Sequence, residues 1–357
     1  MMSPRRFHAT NAVAFTTAMV IGLVLAVVGL ASAGSDTAPT ATCERGDTAT
    51  VCTVPHEQVT STVTETVTQP PVTETVTETV TVTPSPTVTE PPAAAQKVVG
   101  MSAVSSTWSQ RLSEVGATGI TARRIFADLT STGRDQSTLI QQALDAGMMP
   151  VLSYKVPSVS TLNSNGYDSW LANLNTYLGN LDGPVTATFW HEPHGDMSPA
   201  DFRAGSQQFL DSLTDPDISV GPILNGWLLD NRVADWASYT SPALLAQWDF
   251  LGLDSYQEGT VANPSTTLLP GRAIPKAATW LDDQGFPDKR ILVGEYNGQT
   301  VQGMEYAHQQ ILSTPELWVA CVWNMDHMQN GSLKFNVLSG SRLTEFREFK
   351  ADARILK

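Results

Sequence analysis

Cysteine is scarce in this chain, with three residues in 357. That argues against a disulfide-rich scaffold, and a chain of this length buries a large core without such staples. Basic residues are also few: 21 Lys and Arg stand against 35 Asp and Glu, for a formal net charge of −14. Nucleic acid is therefore not expected as a partner, because displacing counterions from phosphates needs a basic face. The same deficit gives no reason for adhesion to an acidic membrane surface. There is no Gly-x-Ser-x-Gly elbow and no Walker-type phosphate loop. Serine-hydrolase and nucleotide chemistry are accordingly poor fits.

What is present begins with an export signal. Arg5 and Arg6 precede a run from Ala12 to Ala31 that carries no charge and ends in Ala31-Ser32-Ala33. Residues 1–33 are thus expected to be a signal peptide cleaved after a small-x-small site, or else a retained membrane anchor, since the run approaches the length of a bilayer span. Either way the remainder is exported, secreted or attached at the outer face of the membrane or the cell wall. Residues 34–97 form a low-complexity linker. Val/Thr alternation runs through Val63-Thr64-Glu65-Thr66-Val67-Thr68 and Val72–Glu78, with prolines at 70, 71, 84, 86, 91 and 92. Large apolar residues are missing there, so an extended stalk is expected rather than a strand, reaching up to ~100 Å at ~3.1 Å per residue. Its threonines offer sites for O-linked sugar, though a plain spacer suffices. Cys43 and Cys52 bracket a short polar segment, where a local disulfide is plausible in an exported protein. Cys321, inside the apolar run Leu317–Trp323, reads as a core residue.

From Val98 to Lys357 the pattern changes to a βα rhythm. Eight apolar runs read as strands: Val98–Ala103, Thr121–Phe126, Met149–Tyr154, Val185–Trp190, Ile218–Leu224, Phe250–Leu253, Arg290–Val293 and Leu317–Trp323. Helix-like stretches lie between most of them. One is predicted from Asp135 to Gly147; another has Ser198 as N-cap and Pro199 at its first position, running to about Leu213. This is an α/β alternation with a parallel sheet covered on both faces. No Gly-rich turn follows the first strand, which favours a (β/α)8 TIM barrel over an open doubly wound sheet.

In such a barrel, reactive groups sit at the C-terminal strand ends. The fourth strand is followed by Trp190-His191-Glu192-Pro193-His194-Gly195-Asp196, the sixth by Asp254-Ser255-Tyr256, the seventh by Gly294-Glu295-Tyr296-Asn297, and the eighth by Trp323-Asn324. Two glutamates from the fourth and seventh strands thus face one cleft, with Trp190 and Tyr296 beside them. Glycoside hydrolysis needs such a pair, one carboxyl protonated to supply the leaving oxygen and one ionised to attack the anomeric carbon. Aromatic side chains offer flat faces for sugar rings. Asn225, Trp227 and Asp230 after the fifth strand are further wall candidates, with Trp108, Tyr154 and Lys155 weaker ones. Trp170 and Trp280 fall in predicted helices and read as packing. His191, His194 and Asp196 lack the His-Glu-x-x-His spacing of zinc peptidases, and neither a metal nor another cofactor is expected.

At these motifs the chain resembles the retaining barrel glycoside hydrolases of clan A. His191-Glu192 in place of the clan's usual Asn-Glu, then Gly195 and Ser198–Phe202, together with Asp249–Tyr256, look most like glycoside hydrolase family 26, which includes β-mannanases and some β-glucanases. The resemblance implies Glu192 as acid/base and Glu295 as nucleophile. It further implies His191 at the reacting subsite, Tyr256 hydrogen-bonded to Glu295, and Trp323 as a sugar platform. The family's His-Glu-Met-Asn-Gly reads His191-Glu192-Pro193-His194-Gly195 here, and Asp196-Met197 replaces a Trp-rich stretch. The expected substrate class therefore stays as broad as mannan, β-glucan or cell-envelope glycan, cleaved by a monomer. A non-catalytic carbohydrate-binding barrel displayed on the stalk as an adhesin is the alternative from another class.

Overall fold

The computed structural model describes residues 42–45, 50–53, 96–128 and 132–357. The chain divides into two compact units, Met1–Thr83 and Pro84–Lys357. The segment expected to be an export signal and nearly all of the expected stalk lie outside the described residues. In the first unit Thr42–Arg45 pairs antiparallel with Thr50–Thr53, and the register sets Cys43 opposite Cys52. The side chains, and so the expected disulfide, lie outside what is described.

In the second unit the eight expected strands form β1 (Val98–Ser102), β2 (Ala122–Asp128), β3 (Met149–Lys155), β4 (Val185–Phe189), β5 (Ile218–Val220 and Ile223–Asn225), β6 (Phe250–Tyr256), β7 (Arg290–Asn297) and β8 (Leu317–Trp323). All neighbours pair in parallel, in the order β5(first half)-β4-β3-β2-β1-β8-β7-β6-β5(second half). The two edges of this nine-segment sheet are therefore halves of one strand. Pro222, which has no amide hydrogen to donate, interrupts β5, and its carbonyl instead accepts from Gly252 at 2.9 Å. The sheet thus curls back to its own start, as a (β/α)8 barrel requires.

Alternation along each strand sorts the side chains. Val98, Ala122, Val151, Ile223, Phe250, Leu292, Val319 and Cys321 make one buried cluster. Their strand neighbours, such as Val99, Leu152, Ala187, Leu251 and Val293, join the larger cluster with the helices. The helix Pro199–Ser212 starts as expected, with the Ser198 hydroxyl accepting from the Asp201 amide at 3.1 Å. Its Phe202 and Phe209 are buried against Phe189 of β4. Trp170 and Trp280 are packing residues on Asp168–Gly179 and Ala273–Asp283.

Lys97 meets the last described residues at the end of the barrel where the strands begin. The Lys97 amide donates to Arg354 at 2.7 Å, and the Leu356 amide donates to Lys97 at 2.9 Å. The buried Lys97 ammonium donates to the carbonyls of Thr314, Pro315 and Leu317 at 2.9, 2.7 and 2.7 Å.

Candidate active site

Two backbone features place the glutamates. After β4 the chain turns through left-handed φ at Trp190 (49°) and at Glu192 (50°). Non-glycine residues held there cost about 1–3 kcal/mol each and persist only when the surroundings fix them. Here the Trp190 amide donates to Tyr154 on β3 at 3.0 Å, and the Glu192 amide donates to Ile223 on β5 at 2.8 Å. The loop is stretched between its two neighbouring strands, and Glu192 is turned into the cleft.

The second feature is a bulge in β7. The register slips between Val293 and Glu295 against β6, and between Val293 and Tyr296 against β8. Leu292 faces the barrel interior, so simple alternation would send Tyr296 inward and Glu295 outward. The extra residue reverses that outcome. Gly294 stays inside, where a Cβ would lie 2.6 Å from Asp254 Oδ1, and Glu295 follows it inward. Tyr296 is expelled to the helical layer, fully buried with its ring edge-on to His308 at 5.9 Å. Tyr296 as a substrate contact is therefore corrected: it is a core residue.

Phe126, His191, Glu192, Tyr256, Glu295 and Trp323 line a cleft lobe of about 310 Å³, completed by His327 and Phe335. Glu192 is half-buried. Burial first, and then the Glu295 charge, push its carboxyl up to about 7. Glu295 is only 5 % exposed. Burial pushes its carboxyl up too, and three groups oppose that push: the Arg124 guanidinium at 3.5 Å, the Tyr256 hydroxyl that donates to Oε2, and the more distant Lys155. His191 packs on Phe126, ring centroids 5.1 Å apart. Burial, with Arg124 and Lys155 nearby, drives its imidazole down to about 2, so it is neutral. Trp323 stands edge-on to Phe126 at 6.1 Å and to His327 at 6.2 Å.

A second lobe of about 330 Å³ shares Glu192, Tyr256, His327 and Phe335 with the first and adds Trp227, Glu258, Arg272 and Lys334. Asp254 lies at its floor, 2 % exposed; burial, Glu295 and Glu192 all push its carboxyl well above the usual range. The hairpin His327–Gln329/Ser332–Phe335 forms the far wall, and Phe335 stacks on Tyr256 at 4.4 Å.

Of the residues expected at the site, Glu192, Glu295, His191, Tyr256 and Trp323 come together in the first lobe. Two others stand outside both lobes, which corrects their expected contact with substrate. The Trp190 indole N–H donates to Asp196 at 2.8 Å beneath the Lys155 ammonium, because its left-handed backbone turns it to the outer loop. Asn225 Oδ1 accepts from the His194 amide at 3.0 Å, which ties β5 to the loop behind Glu192. Trp227 does reach the second lobe, whereas Asp230 pairs with Arg272 at 2.7 Å and Lys276 at 2.8 Å. Trp108 and Tyr154 face the helical layer, Trp108 beneath the Arg123 guanidinium at 4.1 Å and Tyr154 edge-on to Trp170 at 5.7 Å; Lys155 pairs with Asp196 at 3.3 Å. Cys321 is buried, its thiol pushed up to about 12 by burial.

Sequence reasoning missed Arg124, Phe126 and the whole hairpin, and placed Asp254 at the sixth strand end without giving it a role. For Arg124 a signal existed: Arg123-Arg124 interrupts an apolar strand, where a cation is buried only if something pairs with it.

No protein-family model matches the chain, and no curated protein matches it in sequence. Solved structures do match in fold. A modular endo-β-1,4-mannanase of glycoside hydrolase family 26 from Cellulomonas fimi superposes with a TM-score of 0.53 at 16 % identity, over 73 % of this chain and 72 % of that one. GH26C from Muricauda sp. gives 0.52 at 10 % identity, over 74 % and 87 %. A fungal β-1,4-galactanase gives 0.50 at 14 % identity, over 72 % and 99 %. The chain thus has the barrel fold of these glycosidases.

Proposed function

We propose that the protein is a retaining glycosidase that hydrolyses a β-linked polysaccharide by double displacement. One observation carries the reading: Glu192 and Glu295 line the same lobe in contrasting surroundings. Glu192, pushed up to about 7, holds a proton near neutrality, as a general acid must. Glu295 has a cation and a hydroxyl donor on its two oxygens, which favour the ionised form that attacks.

In the first step a Glu295 oxygen bonds to the anomeric carbon while the bond to the leaving oxygen breaks and Glu192 gives that oxygen its proton. In the second, the Glu192 carboxylate takes a proton from water, whose oxygen attacks the anomeric carbon and releases Glu295. Neutral His191 hydrogen-bonds the sugar without adding charge beside Glu295, and Trp323 with Phe126 offers apolar faces. The residues use no cofactor in this scheme. The Arg5–Ala33 segment and the Thr/Val/Pro-rich stretch support export and a displayed domain.

The test is cleavage of mannans, β-glucans and bacterial envelope polysaccharides by the purified protein beside Glu192→Ala and Glu295→Ala, with the product anomer followed by NMR. Retained configuration and loss in both variants are expected. Undiminished cleavage in both, or inversion, sinks the assignment; binding without cleavage by the intact protein would make the barrel a sugar-binding adhesin.

A further inference from the structure

Two residues past Glu295, β7 ends in Asn297, which is fully buried. The Asn297 side-chain amide donates to the Trp323 carbonyl of β8 at 2.6 Å and to the Asn336 carbonyl at 3.4 Å. Asn336 directly follows Phe335, the last residue of the hairpin wall. One side chain from outside the cleft joins these pieces. Arg342 stands in the first turn of the helix Gly340–Ala351. Its Nη1 donates to Asn297 Oδ1 at 3.3 Å and to the Gly298 carbonyl at 2.9 Å. Its Nη2 donates to Asn336 Oδ1 at 2.6 Å and to the Val337 carbonyl at 2.9 Å. One prong of the fork holds the end of β7, and the other holds the base of the hairpin.

Stability does not account for a cation in this place. Arg342 is 7 % exposed, burial draws its pKa down, and no carboxylate among the described residues pairs with it. A buried charge whose partners are all neutral oxygens is costlier than a well-packed apolar side chain. The first turn of a helix disfavours a cation further, because the dipole is positive at that end. Phe346 and Phe349, buried on the same helix, are what packing alone selects. A planar guanidinium supplies geometry instead, with donors in fixed directions that can bridge two segments at once.

The bridged segments bear on the cleft. Phe335 stacks on Tyr256 with ring centroids 4.4 Å apart, and the Tyr256 hydroxyl donates to Glu295 Oε2. Tyr256 and Asn297 are also paired across β6 and β7. A hairpin that shifted against β7 would carry Phe335 off the Tyr256 ring and loosen the donor on Glu295.

We infer that Arg342 is a positioning residue: by bridging β7 to the hairpin it fixes the Phe335–Tyr256 stack, and through it the Tyr256 hydrogen bond on Glu295. This rests on the glycosidase reading above.

The experiment compares the parent with Arg342→Met, Arg342→Lys and Asn336→Ala on 2,4-dinitrophenyl β-mannoside and β-glucoside. These substrates need little proton donation, so their acid limb reports Glu295 rather than Glu192. The charged and titratable groups facing Glu295 are Arg124 on β2, Lys155 on β3, Glu192 after β4, and Asp254 with Tyr256 on β6; the variants alter none of them. Arg342→Met should lower kcat about tenfold to a hundredfold, the cost of a slightly misplaced reacting group. With the Tyr256 donor loosened, Glu295 ionises at higher pH, and the acid limb of kcat/KM should move upward. Arg342→Lys keeps the charge but cannot fork, and should show the same shift. Asn336→Ala cuts only the hairpin prong and should shift the limb less, in the same direction; it carries the test should Arg342→Met not fold. Hydrogen exchange should quicken over residues 327–338 in each folded variant and stay unchanged in β3 and β4. An unmoved acid limb in folded variants overturns the inference and leaves the glutamate assignment standing, whether or not the hairpin exchanges faster. A parent protein that cleaves neither these glycosides nor any polysaccharide brings down both.

Discussion

Barrel strand ends supply half of the lining of the lobe that holds Glu295, whereas loops and the hairpin supply most of its neighbour's. Phe126, Tyr256, Glu295 and Trp323 sit at the ends of β2, β6, β7 and β8, anchored by a closed parallel sheet. Trp227, Arg272 and Lys334 come from the segment after β5, the connection after β6 and the hairpin after β8, held by ion pairs and loop hydrogen bonds. One backbone link between those loops is the Val261 amide on the Leu333 carbonyl at 3.0 Å. The difference separates two demands. Under the proposed mechanism, chemistry needs groups fixed to a fraction of an ångström, which a barrel rim provides, whereas substrate contacts farther out tolerate variation, which loops provide.

Substitutions can break this contrast or sharpen it. Glu295→Gln should lower kcat on the order of 10⁴-fold on polymer and aryl glycoside alike, as expected when a covalent nucleophile is lost. A loss confined to polymer would place Glu295 on the wrong side of the scissile bond. Glu192→Gln should cost about 10²–10⁴-fold on polymer but less on dinitrophenyl glycosides, whose leaving group needs no proton. In the parent protein kcat/KM on polymer should fall as pH rises through about 7, where Glu192 loses the proton it must donate; this alkaline limb should vanish in the variant.

Arg124→Met removes the cation that offsets burial at Glu295. Glu295, the proposed nucleophile, then ionises at higher pH, so the acid limb of the profile should move upward, while Arg124→Lys should restore part of the shift. Unmoved limbs would show that Arg124 only fills space.

Stability gives a smaller effect. The Glu192 carboxyl titrates higher in the fold than in the unfolded chain, so its contribution is present below the ordinary carboxylate range and lost as pH rises through about 7. Glu192→Gln should therefore raise Tm by a few degrees at pH 8 and little at pH 4, read by calorimetry. Smallest of all, Tyr296→Phe should leave kcat unchanged and alter stability by less than about 1 kcal/mol, since the buried hydroxyl has no protein partner. A large catalytic loss there would restore Tyr296 to the cleft.

The same contrast governs what the sequence disclosed. The runs Leu317–Trp323 and Met149–Tyr154 match β8 and β3 to within a residue, because buried parallel strands read as unbroken apolar stretches. β6 and β7 run on through Tyr256 and Asn297, past Leu253 and Val293 where their apolar runs stop, since polar residues at a barrel rim look like loop. The strand-end logic brought Glu192, Glu295, His191, Tyr256 and Trp323 to one place. It failed at Tyr296, where a bulge breaks the alternation without any mark in residue type beyond Gly294. It had nothing to say of Lys334 or Phe335, which approach the glutamates only through a hairpin whose tip, Asn330-Gly331, turns through positive φ.

The clasp at Lys97 bears on mechanics. Two main-chain hydrogen bonds join Lys97, just before the first strand, to Arg354 and Leu356, and its ammonium ties it to the carbonyls of Thr314, Pro315 and Leu317 where β8 begins, at the end of the barrel away from the cleft. Tension applied through either end would load these bonds first, and would reach the strand ends that carry Glu192 and Glu295 only after they part. The groups at the strand ends are thereby insulated from strain at this clasp, and Lys97 and Leu356 lie close enough to be joined in a circular permutant of the described barrel without crossing its mouth.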